Sequence, residues 1–195
     1  VDTNIFFKKP WDEIERIKKK NGIIYEKNIA YFGNLVDIKN SSILPLIFKK
    51  IASLISDVQF HIIGDGRLRS VVRKKCSEFN LNVVFYGNRP PHDMPELINC
   101  MDLIVLPSKN EGLPLVALES LACGVPMIGS DVGGISEAIG IENVVPLDAD
   151  FIDNFSKLAV KRLTESFEVR LDDKFKLEVI VGEKYKALMQ IEKCA

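Results

Sequence analysis

The sequence predicts an α/β domain in which helices cover both faces of a parallel sheet. Six short apolar runs alternate with segments of helical periodicity, a pattern that is typical of parallel sheets. The runs are continuously apolar, as in Leu103–Leu106, which indicates strands that are buried on both sides. Polar or glycine-containing loops follow these runs and mark the ends of the strands.

The first helix begins at Pro10-Trp11 and runs to Lys20, where Asn21-Gly22 end it. Acids in its first turn and lysines in its last complement the helix dipole. We interpret Trp11 as a packing residue rather than a platform for a sugar. The elements that follow are a strand at 29–33, a helix at 42–55, a strand at 58–63, a helix at 68–79, a strand at 83–86, a short helix capped by Asp93, a strand at 103–106, a helix from Pro114 to Gly124, a strand at 127–129, a helix at 136–139, a strand at 143–145 and helices at 153–164 and 175–191.

These elements together predict a doubly wound, Rossmann-like domain with a six-stranded parallel sheet. On the helix at 68–79, apolar spacing places Val71, Val72 and Cys76 on the buried side. Ligands of doubly wound domains bind beyond the carboxyl ends of the strands. We therefore expect a ligand site at one edge of the sheet, formed by the loops at 34–40, 64–67, 87–92, 107–113 and 130–134.

The composition excludes several classes of protein. The 26 basic and 27 acidic residues give a net charge of −1, so nucleic acid is not an expected partner. Apolar runs are far shorter than the ~18 residues of a membrane span, and we expect no signal peptide. The 4 cysteines lack C-x-x-C spacing, which disfavours zinc and a disulfide framework and favours reduced thiols in a cytoplasmic protein.

The stretch from Ser108 to Gly124 carries the expected chemistry. Glu111 lies in a loop, and Glu119 follows it by eight positions on a helix that begins near Pro114. At ~1.5 Å per residue, Glu119 lies roughly 7 Å beyond the helix start. Free backbone N–H groups and the positive end of the helix dipole lie between the two acids and suit a phosphate. The stretch is therefore able to hold a sugar, a diphosphate and a ribose diol in series.

This E-x7-E arrangement continues into A-C-G-V-P-M-I-G-S-D-V-G-G-I-S-E and resembles the retaining GT-B glycosyltransferases called group 1, or sequence family 4. The resemblance covers about residues 28–145. It implies one half of a GT-B fold, the C-terminal domain that binds a nucleotide sugar. Residues 1–10 would then be a linker from a missing N-terminal domain, and residues 11–195 the donor-binding domain with its C-terminal helices.

The resemblance also implies roles for individual residues. Glu111 would contact hydroxyls of the donor sugar and Glu119 the ribose hydroxyls, although a solvated loop acid and a structural acid are the alternatives. Lys39 and Glu111 would be the catalytic residues, with a surface lysine as the alternative for Lys39. Pro114 has no N–H to give, so Leu113 and Leu115 would supply backbone donors. The donor-binding positions are Gly33, Asn34, Gly64, Gly87, Asn88, Arg89, Gly112, Leu113, Pro114, Leu115 and Glu119.

The sequence departs from the family pattern in the loop after the first strand. The family has an arginine after the strand-ending glycine and a lysine five positions later, and both stabilise the departing diphosphate. Lys39 matches the lysine, but Asn34 occupies the arginine position. An amide donates a hydrogen bond without neutralising charge. Either another cation such as Arg67 or Arg89 substitutes, or this chain is a slow or degenerate member.

Three other patterns are given less weight. Gly64-Asp65-Gly66 has Arg69 where a dinucleotide fingerprint needs its third glycine, which disfavours NAD. Asp148-Ala149-Asp150 is a D-x-D sequence, yet capping of the next helix is favoured over a metal site. The loop Gly87-Asn88-Arg89 either meets the nucleobase or is a tight turn, and His61 is interpreted as structural.

The expected activity is transfer of a sugar, with retention, from a nucleoside diphosphate sugar to a glycan or lipid-linked acceptor. We expect no cofactor and no obligatory metal. The acceptor, and any peripheral membrane contact, would involve the missing domain, and the isolated fragment would be inactive. The alternatives are a non-catalytic module that binds nucleotide sugars, and another enzyme of the same fold, such as a sugar-nucleotide epimerase or a glycan phosphorylase.

Overall fold

The structure is a computed structural model that describes residues 1–165 and 168–182. Its sheet has six parallel strands in the order β3-β2-β1-β4-β5-β6, which confirms the doubly wound, Rossmann-like fold. The strands are β1 Lys27–Phe32, β2 Val58–Ile63, β3 Val83–Gly87, β4 Leu103–Leu106, β5 Met127–Ser130 and β6 Val144–Val145. The helices are α1 Trp11–Lys20, α2 Leu44–Leu54, α3 Arg69–Glu78, α4 Met94–Asn99, α5 Leu115–Ala122, α6 Ile135–Ile139 and α7 Phe151–Thr164.

The order of the strands reverses direction at β1. The chain starts in the middle of the sheet, moves outward through β2 to β3, and returns to place β4 on the other side of β1. Ile29 of β1 pairs with Leu103 of β4, and Lys27 pairs with Val58 of β2. The connections that follow β1 and β4 therefore proceed toward opposite ends of the sheet, and such a reversal opens the crevice where ligands bind.

The helices form two packed groups, as expected for the two faces of a doubly wound sheet. Helix α2 contacts α3 and α7, whereas α1, α4, α5 and α6 contact one another in sequence. Between the layers, the ring of Phe48 on α2 stacks on Phe60 of β2 with centroids 4.3 Å apart. Ile29, Ala30 and Tyr31 of the central strand are fully buried, which accounts for its uninterrupted apolar sequence.

Four local predictions are wrong. Trp11 is 71% exposed, so it is not the packing residue that was predicted. Val71 is 45% exposed, because only the stripe of Val72 and Cys76 on α3 faces the core. Asp93 occupies the N-cap of α4 without a side-chain hydrogen bond, since a 3-10 turn already holds its backbone in the helical region. Asn143 ends a 3-10 turn rather than starting β6, and its amide donates to the carbonyl of Ile139 at 2.6 Å.

The two ends of the described chain lie against each other. The Val1 amino group donates to the carbonyl of Phe175 at 2.7 Å, and the Leu177 N–H donates to the carbonyl of Val1 at 2.9 Å. The chain is helical over 177–182, and the remainder of the helix predicted at 175–191 lies outside the described residues. Among the described helices, none has the length and apolarity needed to cross a bilayer.

Candidate functional site

The predicted site positions lie at the carboxyl edge of the sheet, on neighbouring loops that are joined by backbone hydrogen bonds. In the loop after β1, the Leu35 N–H donates to the backbone carbonyl of Asp65 at 2.9 Å, and the carbonyl of Leu35 accepts from the Leu68 N–H at 3.0 Å. The Gly64 N–H donates to the carbonyl of Gly87 at 2.8 Å, which adds the loop after β3. The loops that follow β1, β2 and β3 therefore form one continuous surface.

The loops after β4 and β5 extend this surface on the other side of β1. The Lys109 N–H donates to the carbonyl of Ile38 at 2.9 Å, so the β4 loop lies against the β1 loop. The Gly134 N–H donates to the carbonyl of Gly112 at 2.9 Å, which joins the β5 loop to the β4 loop. Five loops are thus connected across the reversal point of the sheet, as the sequence predicted.

Glycines make two of these close approaches possible. A Cβ on Gly64 would lie 2.1 Å from the carbonyl oxygen of Gly33, and a Cβ on Gly133 would lie 1.7 Å from that of Glu111. Gly64 has a φ of +130° and Gly133 a φ of +54°, backbone angles that residues with a side chain rarely adopt. The second contact places the β5 loop directly behind Glu111. A larger residue at position 133 would displace the backbone that presents this carboxylate.

The structure brings the two predicted catalytic residues together. The Lys39 amine donates to both carboxylate oxygens of Glu111, at 2.6 and 2.7 Å. The Glu111 side chain is only 7% exposed and that of Lys39 is 28% exposed. The pair therefore lies largely out of water, where each charge depends on the other. A ligand that binds either group has to compete with this ion pair.

Two serines that the sequence analysis did not identify hold this pair in place. The Ser108 hydroxyl donates to Glu111 Oε1 at 2.7 Å, and the Ser130 hydroxyl donates to the carbonyl of Ser108. Both serines are fully buried. Their position at or just beyond the end of an apolar strand is the signal that would have identified them, because a buried hydroxyl requires a partner.

Glu119 lies on α5, which starts at Leu115 with Pro114 at its N-cap. Pro114 therefore precedes the first helical turn instead of belonging to it. The Glu119 carboxylate is half-buried and makes no hydrogen bond in the part of the chain that the structure describes. Burial raises the pKa of this carboxyl group, against a smaller opposing effect of the Val1 ammonium. An acid held in this way is available to a ligand.

The start of α5 offers free donors beside the two acids. Within the described residues, the N–H groups of Leu113 and Leu115 donate to no backbone acceptor. The side chains of Leu113 and Leu115 are 40% and 68% exposed, so the backbone here is open to solvent. Unpaired N–H groups at a helix start form a site for an anion, and the helix dipole adds to the attraction.

Asn34 and the two candidate replacement arginines differ in their surroundings. The Asn34 side chain is exposed and has no partner among the described residues, while its carbonyl accepts from the Tyr31 hydroxyl at 2.8 Å. Arg67 forms an ion pair with Asp37. Arg89 lies 3.7 Å from the carboxylate of Asp93 and over the ring of Tyr86. Both arginines are thus already beside an acid.

His61 lies in a buried hydrogen-bond network beneath the loop after β3. Its Nε2 is 3.1 Å from Asn28 Oδ1, and its Nδ1 is 3.1 Å from the Tyr86 hydroxyl. The amide nitrogen of Asn28 already donates to Tyr25 and Asp102, so Asn28 Oδ1 accepts from His61 Nε2. Burial lowers the pKa of His61 to about 4, with a smaller contribution from Lys18. His61 is therefore neutral, consistent with the structural role that was predicted.

The D-x-D sequence forms a turn before α7. The backbone N–H of Asp150 donates to Asp148 Oδ1 at 3.0 Å, and Asp150 is the N-cap residue of α7 without a side-chain hydrogen bond to it. Over residues 1–165 and 168–182, no three histidine, cysteine, aspartate or glutamate side chains are placed to hold a metal ion.

Comparison with known proteins gives one family and several related structures. The family described as "Glycosyl transferases group 1" matches residues 13–146. A curated relative, N-acetyl-alpha-D-glucosaminyl L-malate synthase of Bacillus anthracis, is 32% identical over 142 residues, which are 71% of this chain and 36% of that enzyme. The chain thus spans about a third of the length of this relative.

Two solved structures share the fold. Anabaena HepE in complex with UDP and glucose has a TM-score of 0.68 at 20% identity, over 83% of this chain and 45% of that one. The C-terminal domain of the group 1 glycosyl transferase LpcC from Francisella tularensis has a TM-score of 0.68 at 21% identity, over 84% of this chain and 91% of that domain.

Proposed function

Because the chain belongs to the group 1 glycosyl transferases, we propose that its site binds a nucleoside diphosphate sugar for transfer to a glycan or lipid-linked acceptor. The observation that carries this proposal is the order in which candidate ligand-binding groups follow one another along the carboxyl edge of the sheet. The Lys39–Glu111 pair, the open start of α5 and the free carboxylate of Glu119 follow one another there. These groups match the sugar, the diphosphate and the ribose of one donor.

In this proposal the two acids position the donor without attacking it. Glu119 accepts hydrogen bonds from the ribose hydroxyls, a task that suits an ionised carboxylate with no hydrogen-bond partner among the described residues. Glu111 accepts from hydroxyls of the sugar, and Ser108 holds its carboxylate at 2.7 Å. The sugar then lies next to the Lys39 amine, which donates to Glu111.

The chemical step develops negative charge on the diphosphate as the bond to the sugar breaks. Lys39 and the N–H groups at the start of α5 are placed to stabilise that charge, which is the main way such sites lower a barrier. We propose transfer with retention of configuration, with neither a cofactor nor an obligatory metal. Gly33, Gly64 and Gly112 supply backbone that approaches the donor, and Gly87, Asn88 and Arg89 meet the base.

Calorimetric titration with UDP, GDP and ADP tests donor binding. We expect one of these nucleotides to bind. Glu119→Gln should weaken its affinity about tenfold, because the charged hydrogen bonds to the ribose are lost. The 2′-deoxy analogue should lose a similar factor with the original chain and little more with Glu119→Gln. Glu78→Gln, which removes an exposed acid at the end of α3, is the matched control.

Two results would contradict this assignment. If none of the three nucleotides binds, the donor site is wrong. If the deoxy analogue loses the same factor with Glu119→Gln as with the original chain, Glu119 does not contact the ribose. Retention is tested separately, by NMR of the anomeric configuration of the product made from a labelled donor.

A non-catalytic module that binds nucleotide sugars is the second candidate. Asn34 in place of a cation favours it, because binding requires less charge neutralisation than bond cleavage. Release of sugar from a labelled donor, to water or to an acceptor, distinguishes the two candidates. A protein that contains this chain and binds the donor without any turnover is the module.

A further inference from the structure

The proposed diphosphate site has too little positive charge for its ligand. Lys39 is matched by Glu111, and Glu119 adds a second negative charge, so these three side chains sum to −1 before an anion arrives. Asn34 contributes hydrogen bonds without charge. The dipole at the start of α5 supplies roughly half a unit of positive charge. A diphosphate at this edge therefore requires a further cation.

Neither arginine suggested by the sequence meets this need. Arg67 is paired with Asp37, which cancels its charge, and 71% of its side chain is exposed to water. Arg89 lies between the Asp93 carboxylate and the Tyr86 ring, and it lines a cavity of about 240 Å³ between Lys20 at the end of α1 and the first turns of α4. Arg89 is thus held beside Asp93, and in the proposed function it meets the base rather than the diphosphate.

Lys109 meets two requirements that these arginines do not: it lies near the Lys39–Glu111 pair, and its amine is available to a ligand. Its backbone N–H donates to the carbonyl of Ile38 at 2.9 Å, next to Lys39. It also follows Ser108 and lies two residues before Glu111, and the Ser108 hydroxyl donates to Glu111, so the Lys109 backbone is close to the ion pair. Its side chain is exposed, and its amine has no partner among the residues that the structure describes.

We propose that Lys109 binds the β-phosphate of the donor and supplies the charge that Asn34 lacks. This inference rests on the proposed function and names a further residue of that same site. The β-phosphate is the relevant group because it carries the sugar, and the sugar lies at Glu111 in the proposed function. A lysine on a flexible stem beside the loop after β1 replaces an arginine within that loop.

The test compares diphosphates with monophosphates. Full-length chains carrying Lys109→Met or Lys109→Arg are titrated by calorimetry with UDP, GDP and ADP, each beside its monophosphate. Lys109→Met should weaken the bound diphosphate about tenfold and change its monophosphate less than twofold. Lys109→Arg should retain most of the affinity. Lys157→Met, an exposed lysine of α7, controls for net charge.

A second variant tests the relation between Lys109 and Asn34. Asn34→Arg, added to Lys109→Met, should restore at least half of the lost diphosphate affinity on a logarithmic scale. If Lys109→Met acts no more strongly than Lys157→Met, or weakens both classes of nucleotide equally, the inference is overturned while the donor site stands. Absence of nucleotide binding by the original chain would overturn both.

Discussion

The ion pair between Lys39 and Glu111 should stabilise the protein measurably. Lys39→Met removes the amine and keeps most of the side-chain length. Within the described residues, Glu111 is then left with the Ser108 hydroxyl, at 2.7 Å, as its remaining side-chain hydrogen-bond partner. The variant therefore strands a carboxylate of which only 7% is exposed.

The size of the effect follows from how far the pair is buried. Exposed ion pairs contribute about 0–1 kcal/mol, whereas removing one partner of a fully buried pair costs about 3–5 kcal/mol. Glu111 is near the buried limit, but 28% of Lys39 reaches water. We expect a loss of about 2 kcal/mol in the free energy of unfolding. In a chain of this size the loss lowers Tm by about 6 °C.

Urea unfolding at neutral pH and low salt measures the effect as a shift of the midpoint at constant m. Lys161→Met is the matched control, because its partner Glu165 is 3.9 Å away and both side chains are more than half exposed. That change should cost less than about 0.5 kcal/mol. Lys39→Met combined with Glu111→Gln should recover part of the loss, since no charge is then stranded.

Two results would refute this reasoning. If Lys39→Met destabilises the protein no more than Lys161→Met does, the pair contributes nothing in solution. Alternatively, the effects of Lys39→Met and Glu111→Gln could add without coupling, in which case the two residues act independently.

Three further predictions concern the backbone, pH and the free acid. Gly133→Ala should cost about 3 kcal/mol or more in urea unfolding, because its Cβ would lie 1.7 Å from a carbonyl oxygen; Gly22→Ala, with open space around it, should cost about 1 kcal/mol. As pH falls from 6.5 to about 4, His61 becomes protonated in the unfolded chain but stays neutral in the folded one, where it is buried. The free energy of unfolding should therefore decline by up to about 3 kcal/mol. His61→Gln should flatten this decline and the exposed His92→Gln should not, as followed by Tm against pH. Since burial raises the pKa of Glu119, Glu119→Gln should raise Tm at pH 7 while weakening nucleotide binding. An unchanged or lower Tm would argue against a carboxylate that is destabilised by burial.

The strands and the edge where the loops meet were predictable from the sequence, because continuous apolar runs leave few alternative assignments of secondary structure. Val58–Ile63 and Leu103–Leu106 have the predicted bounds. Val71 was assigned wrongly because apolar spacing does not show how wide a stripe of α3 the sheet covers. The cap at Asp93 was also wrong, since the preceding proline turn had already made its backbone helical.

The contacts within the site were less predictable than its position. Lys39 and Glu111 are 72 residues apart, and their distance depends on how β4 aligns with β1. The pairing of Arg67 with Asp37 depends in the same way on how neighbouring loops approach. The residue types thus predicted which groups would bind a ligand, whereas the partner of each group within the protein required three-dimensional information.

The glycine contacts between neighbouring loops restrict the routes by which this site can evolve. With Gly64 against Gly33 and Gly133 against Glu111, an inserted residue in any of these loops would separate backbones that are now in contact. Insertions and deletions, the usual source of new specificity in loops, are therefore not tolerated here. A change of donor has to come from exchanging exposed side chains such as Asn34 on a fixed backbone, so few substitutions are needed to retune the site.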